Sequence, residues 1–433
     1  MQRVVRNTGY LFSAQTISAA LSMGQSILTA RLLGVEGAGY VGIITQFSSN
    51  LNRLTSFRIG ELVICFVGEF DAKGLKRHAA AVFKAAMLIE FSSSLLAFLL
   101  VMALAPIGAR IFAHEPRLSG LFIFYGISLL ANLMYESGSG LLQFYNRFKT
   151  IAIVSIGQSV LTLIVILGAV ITHGGIDLVV LAYLVGKIML AVSISVAALW
   201  QARQEWGVGW WRTPLSLLAD RRRDLFRFAI STNLSGTLKL VSRDSEMLWL
   251  GAFSSPLQVG YYKIAKAITN ILITPVTPLI RTIYREVARE IGRRNWLNVR
   301  YLLRSGSMIS AIWTLPASLG LVIFGPRIVA LWGLEFLPTS YTSLMILLVG
   351  VIVVNVFYWS QSVLLPLGMP EYPTKVLFIV AVIKIIGTII FVPRWGANGM
   401  AVLLSGYFLA TASVLVWKTL HEIRRAELAP VIS

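Results

Sequence analysis

Charge is scarce in this chain. Only 13% of its 433 residues are Asp, Glu, Lys or Arg, 56% are hydrophobic, and the mean hydropathy is +0.76. A soluble domain of this length exposes more surface than so few charges can cover, which excludes a water-soluble globular fold. Negative charge is scarcer still: 19 acidic residues face 38 basic ones, for a net charge of +19. There is one cysteine, Cys65, so no intrachain disulfide can form. The four histidines, His78, His114, His173 and His421, lie far apart, and none has metal-ligand spacing to a Cys, Asp or Glu. No glycine-rich loop ends in a Walker lysine, which argues against a built-in ATPase. Without a catalytic constellation, the chain is not expected to be an enzyme or to hold a metal or cofactor.

What the chain has is apolar runs of about 20 residues, the length that crosses a bilayer as a helix. Arg3 and Arg6 precede the first run. That run is too long and too polar for a signal-peptide core, so it is expected to remain as a span. The runs predict twelve transmembrane helices, near 9–30, 40–67, 82–105, 118–142, 151–172, 176–200, 225–253, 259–283, 305–324, 341–365, 374–392 and 397–417. With the N-terminus in the cytoplasm, 25 of the 38 Lys and Arg fall in cytoplasmic segments or at the span ends that border them, five fall on the other side, and eight lie deeper inside spans. Excess Lys and Arg mark cytoplasmic loops, so both termini are expected inside.

The longest polar stretch runs from Gln201 to Asp224, with Trp206, Trp210, Trp211 and Arg221-Arg222-Arg223. Trp and Arg together suit the headgroup region. The expected fold is therefore all-α and polytopic, with two six-helix lobes related by a pseudo-twofold: 1–205, a cytoplasmic linker 206–224, and 225–433. The lobes echo each other. Ala30-Arg31-Leu32-Leu33-Gly34 with Gly39-Tyr40 is matched by Leu248-Trp249-Leu250-Gly251 with Gly260-Tyr261-Tyr262. Parallel six-helix repeats are a transporter architecture, with the binding site between the halves.

Ionisable residues inside a span are costly, roughly 2.5–3.5 kcal/mol on insertion scales, and normally face a cavity or a partner. Here they concentrate on spans 1, 2, 7 and 8. Span 1 carries Gln15, Ser18, Ser22, Gln25, Ser26 and Thr29 as one stripe, which serves either as interhelical glue or as a cavity lining. Span 2 carries Arg53, Arg58 and Glu61, span 7 carries Lys239, Arg243, Asp244 and Glu246, and span 8 carries Lys263, Lys266 and Asn270. Together they predict a net-cationic chamber suited to a phosphate or pyrophosphate. The expected substrate contacts are Arg53, Arg58, Lys239, Arg243, Lys263, Lys266 and Asn270. Glu61, Asp244 and Glu246 are expected to couple transport to a proton or sodium ion. The pairs Arg58/Glu61 and Arg243/Glu246 are three apart and can equally neutralise each other. Isolated Lys187 and Lys384 are expected to snorkel or pack. Glu90 and Glu136 are either partners of cations or proton carriers.

Several segments resemble the polysaccharide transporter (oligosaccharide flippase) family, a branch of the superfamily that also holds multidrug extrusion antiporters and lipid II flippases. They are the two echoed motifs, Leu315-Pro316-Ala317, Phe324-Gly325, Trp332-Gly333-Leu334-Glu335-Phe336, and Val392-Pro393-Arg394-Trp395-Gly396-Ala397-Asn398-Gly399-Met400-Ala401. The resemblance implies two lobes in a V, alternating access, and movement of an undecaprenyl-pyrophosphate-linked sugar unit across a bacterial inner membrane. It also implies glycosyltransferase, polymerase and export partners. Relatives often carry Asp five residues before Gly251, where this chain has Glu246. Two other readings compete. A drug or cation antiporter should have an acidic, aromatic chamber, and a non-transporting scaffold of a glycan synthesis complex should find these charges dispensable.

Overall fold

The computed structural model describes residues 2–428 except 222, 226, 228–239 and 241–243; the side chains of 2–12, 278, 281 and 282 also lie outside the description. Described residues form helices and turns, with no strand among them. The chain divides into two compact units, Met1–Leu248 and Trp249–Ser433.

Unit 1 contains α1 (Gln2–Thr55), α2 (Ile59–Ala72), α3 (Lys76–Phe112), α4 (Ser119–Ala131), α5 (Tyr135–Phe144), α6 (Phe148–Ile171) and α7 (Ile176–Trp206). The unit boundary falls within α8 (Glu246–Phe253). Unit 2 continues with α9 (Pro256–Ile273), α10 (Thr277–Gly292), α11 (Trp296–Val329), α12 (Leu337–Val356) and α13 (Glu371–Leu428). Among the described residues, eight helical stretches are long and apolar enough to cross a membrane. Two of them, Ser13–Ala72 and Glu371–Leu428, each hold two of the predicted spans. Ten of the twelve expected spans are thus matched, and an eleventh is α9. The seventh, 225–253, lies largely outside the described residues.

The double-length helices turn at one glycine each. Gly34 has φ 68°, ψ −171° and Gly396 has φ 52°, ψ −129°, regions that a residue with a Cβ rarely enters. No loop separates the paired passes. Beside the second joint, the Gln258 side-chain oxygen accepts the Ala397 amide at 2.9 Å. A Cβ at Gly396 would lie 2.4 Å from that oxygen.

Three expected spans are broken where the sequence reads as continuous. Span 2 stops at Thr55 and restarts at Ile59, with Arg58 in the left-handed region at φ 51°. Span 4 stops at Ala131 and restarts at Tyr135. Span 10 ends as a helix at Val356 and continues in turns. A helix can break at membrane depth only where other groups satisfy the freed backbone. At the third break, Ser310 Oγ donates to Asn355 O at 2.8 Å, and the Trp359 indole donates to Ser307 Oγ at 2.8 Å.

The helices pack through small residues, as membrane helices do when lipid supplies no hydrophobic contrast. Ala79, Ala80, Ala81, Ala86, Ala97, Ala105 and Ala109 are buried along α3. A Cβ on Gly108 would meet Phe47 at 2.8 Å, and one on Gly186 would meet Thr162 at 2.0 Å. The opposite faces are apolar and exposed, for instance Leu95, Leu99 and Met102 on α3 and Ile379, Ile383, Ile386 and Ile390 on α13, as a lipid-facing surface requires.

The stretch expected as a headgroup linker folds back onto unit 1. Trp210 is buried against Phe83 and Trp206, with ring centroids 5.4 and 6.0 Å away. Lys84 donates to Thr213 O at 3.1 Å, and Arg221 pairs with Glu69 at 2.6 Å and Asp224 at 3.0 Å. Of the three tryptophans in this stretch, Trp211 alone is exposed.

Candidate functional site

In unit 1 the predicted cations of span 2 meet carboxylates. Arg53 pairs with Asp244, which is 191 residues away in sequence, and the two side chains are 52% and 37% exposed. Arg58 pairs with Glu61, three residues on, and both side chains are half exposed. Charged groups left open at mid-span depth do not face hydrocarbon without a large penalty, so this face lines a solvated space. The Arg58–Glu61 pairing is the neutralising arrangement that its spacing allowed.

A polar ladder on α1 fixes the Arg53–Asp244 contact. Gln46, Asn50 and Arg53 fall on one helical face by their spacing. Gln46 Nε2 donates to Asp244 O at 2.7 Å and to Asn50 Oδ1 at 2.6 Å. Asn50 Nδ2 donates to Ser245 Oγ at 3.0 Å, and Ser245 Oγ donates to Leu240 O at 2.8 Å. Ser245 ends this segment directly before α8, whose first residue, Glu246, is buried. Sequence reasoning missed Gln46 and Asn50 as clamp residues. Their spacing from Arg53 was a signal, but the partner segment gave none.

Lys187 departs from the snorkelling or packing expected of it. Its side chain is exposed near the middle of α7. Its distance from either helix end exceeds what a lysine stem can span. With Arg53 and Arg58 it makes three described cations on the spans of unit 1, beside the carboxylates Glu61 and Asp244 that pair with the two arginines.

The span 1 stripe divides in two. Gln25 and Thr29 are buried, and Gln25 Nε2 donates to Ser159 O on α6 at 2.8 Å, which makes that half interhelical glue. Gln15 and Ser22 are exposed.

In unit 2, Lys263, Lys266 and Asn270 share one face of α9, as the spacing predicts. Lys263 and Lys266 are half-buried and Asn270 is exposed. The other face buries Ile264, Ala265, Ile268 and Leu272, and Tyr262 is buried at its edge. The helix starts cleanly, with Ser255 as its cap and Pro256 in the first turn. Lys266 lies over the Tyr262 ring at 5.8 Å. Lys384 takes the packed form of its expectation: it is buried, 5.6 Å over the Tyr407 ring. Lys239 and Arg243 lie outside the described residues.

A family model described as polysaccharide biosynthesis protein matches residues 4–284. A search among curated proteins returns no match. Among solved structures, the chain is similar to an inward-facing multidrug resistance MATE family transporter of the MOP superfamily, at TM-score 0.77, 17% identity and 95% coverage of both chains. It is similar to the lipid II flippase MurJ in an inward closed conformation, at TM-score 0.71 and 16% identity, over 96% of this chain and 90% of that one. A MOP superfamily transporter from Pyrococcus furiosus, titled for a binding pocket of reverse polarity, matches at TM-score 0.69 and 14% identity, over 99% and 96%. At these identities the likeness establishes the fold alone, an all-helical multi-pass one.

Proposed function

Because the chain belongs to the polysaccharide biosynthesis protein family, we propose that it is a flippase carrying undecaprenyl-pyrophosphate-linked oligosaccharide units from the inner to the outer leaflet of a bacterial inner membrane. The observation that carries this reading is the excess of cations inside the spans. Arg53 sits on α1, Arg58 in the break between α1 and α2, and Lys187 on α7; Lys263 and Lys266 sit on α9. A pyrophosphate brought out of water needs such an excess to replace its hydration. Lys239, Arg243 and Asn270 complete the proposed substrate contacts. The reading takes the chain as a transporter without catalytic chemistry, working by alternating access between two six-helix lobes with both termini cytoplasmic. Glycosyltransferases, a polymerase and an export complex are its proposed partners.

Coupling to a proton or sodium ion falls to Glu61, Asp244 and Glu246. Glu61 and Asp244 already neutralise arginines, so a substrate anion that draws Arg58 or Arg53 away would leave a carboxylate ready for the cation. Each charge crossing 100 mV is worth about 2.3 kcal/mol, enough to bias such a cycle.

The test is reconstitution in vesicles with a fluorescent lipid-linked oligosaccharide. Neutralising Arg53, Lys187, Lys263 or Lys266 should slow translocation while leaving membrane insertion intact. Full rates in all four variants would refute the proposed site. The likeness to a multidrug transporter favours a second reading, a cation antiporter; drug efflux on expression without lipid-linked translocation would establish it instead.

A further inference from the structure

Two carboxylates inside unit 1, one buried and one half-buried, do work that the transport reading leaves unassigned. Glu90 lies on α3 with 4% of its surface exposed. Its Oε1 accepts the Glu136 amide at 2.6 Å and its Oε2 accepts the Ser137 amide at 2.8 Å. Those amides belong to the first turn of α5, the half-helix that restarts span 4. Glu136 repeats the arrangement one helix further on. Its Oε2 accepts the Ile59 amide at 3.2 Å and its Oε1 accepts the Ser56 hydroxyl at 2.9 Å. Ile59 opens α2, the half-helix that restarts span 2, and Ser56 stands at the break. Each carboxylate thus caps an orphaned helix N-terminus and sits at the positive end of its dipole. Glu90 and Glu136, expected either to partner cations or to carry protons, are here seen to cap helices.

The capped half-helices also touch backbone to backbone. A Cβ on Gly60 would lie 2.9 Å from Glu136 O, and one on Gly140 would lie 2.5 Å from Gly60 O. A chain of rigid contacts therefore runs from α3 through α5 to the start of α2. The residue at its end is Arg58, immediately before Ile59, held at φ 51° with its guanidinium half exposed and paired to Glu61. A non-glycine residue in the left-handed region costs about 1 kcal/mol or more and persists only where its surroundings impose it.

We propose that Glu136, backed by Glu90, is a positioning pair for Arg58: by capping α2 from the side, it fixes the break that turns the Arg58 guanidinium onto the solvated face where the substrate's anionic group is met. The inference rests on the reading of Arg58 as a substrate contact. Neither glutamate touches substrate. Their effect reaches it through the conformation of residues 56–58.

A double-mutant cycle with a chemical probe tests this. In the transport assay, Glu136→Gln keeps the side-chain shape but turns an amide NH2 toward a donor. It should slow translocation about tenfold, the worth of one charge-assisted hydrogen bond, whereas Glu136→Asp should cost less than about threefold. On an Arg58→Gln background, Glu136→Gln should add less than about twofold, because it acts through the residue already removed. Independently of transport, Arg58→Cys on a Cys65→Ser background should change its labelling rate with a soluble maleimide several-fold when Glu136→Gln or Glu90→Gln is added. The background substitution is needed because Cys65 is exposed. Wild-type translocation by both glutamine variants beside a slow Arg58→Gln would overturn the positioning role and leave the substrate reading standing. A wild-type rate for Arg58→Gln would remove Arg58 from the substrate site, and with it the proposal. Unchanged labelling would also overturn it, even where a glutamine variant reaches the membrane in low amount.

Discussion

The crossing of α2 and α5 gives the sharpest stability prediction. Gly140→Ala places a methyl group 2.5 Å from Gly60 O and 2.9 Å from Gly60 Cα, all of it backbone that no rotamer change can clear. Ordinary contact needs about 3.5 Å, so the two half-helices must separate by about 1 Å. Overpacking of this kind costs about 1–3 kcal/mol. The same movement lengthens the 3.2 Å bond between the Ile59 amide and Glu136 past hydrogen-bonding distance, which adds about 1 kcal/mol for a buried donor left unmade. A total of about 2–4 kcal/mol corresponds to a fall of roughly 5–15 °C in apparent Tm for a unit of this size. Thermal unfolding of the purified protein in detergent, followed by tryptophan fluorescence, measures it. Gly120→Ala is the control, because a Cβ there meets nothing within 4 Å. It should be neutral or slightly stabilising through helix propensity. A Gly140→Ala protein melting within 1 °C of wild type would refute the account of the crossing.

Three further outcomes are expected. Exchanging the charges of Arg53 and Asp244 singly should reduce transport, and the double swap Arg53→Asp with Asp244→Arg should recover at least part of it; a double variant worse than either single one would show that the pair is not the operative unit. Gly396→Ala should lower apparent Tm by several degrees, because it enters a disfavoured φ and collides with the oxygen of Gln258 that caps Ala397, and Gln258→Ala in the same protein should relieve the collision but not the backbone strain. Glu290, on α10, has its pKa held below the ordinary carboxylate value by the Asn298 side chain first, then by Arg293, Asn295 and Arg289. A depressed folded-state pKa contributes stability that is present above the ordinary value of about 4.5 and is lost as pH falls through the folded one. The stability difference between wild type and Glu290→Gln should therefore shrink below pH 4.5 and be constant above it, as measured by melting across a pH series.

Hydropathy made the spans legible because span length and lipid exposure are local properties of sequence. The eight apolar stretches, and the two that contain paired passes, follow the predicted segments closely. The mid-span breaks were not legible. Neither Ser56-Phe57-Arg58 nor Asn132-Leu133-Met134 contains proline or glycine. These breaks exist because Glu136 and Glu90 satisfy the freed amides from other helices, and a tertiary cap leaves no mark on the segment it caps. The same reason hid the partner of Arg53, which is 191 positions distant. Lys187 looked isolated because only the fold brings α7 beside α1. Arg58 and Glu61 were legible as a pair, since three residues along a helix bring side chains together wherever the helix sits.

The one-residue joints at Gly34 and Gly396 carry a practical consequence for anyone mapping which side of the membrane each pass faces. Reporter fusions and inserted epitope tags assume a connecting loop that can lengthen without disturbing its neighbours. Here there is none to lengthen: an insertion at either glycine would prise apart two helices that share a single backbone turn, and a failed signal would report collapse of the hairpin rather than its sidedness. Single-cysteine scanning of the residues flanking each glycine, which adds no length, suits this chain; at Gly34 and Gly396 themselves even that substitution would be strained.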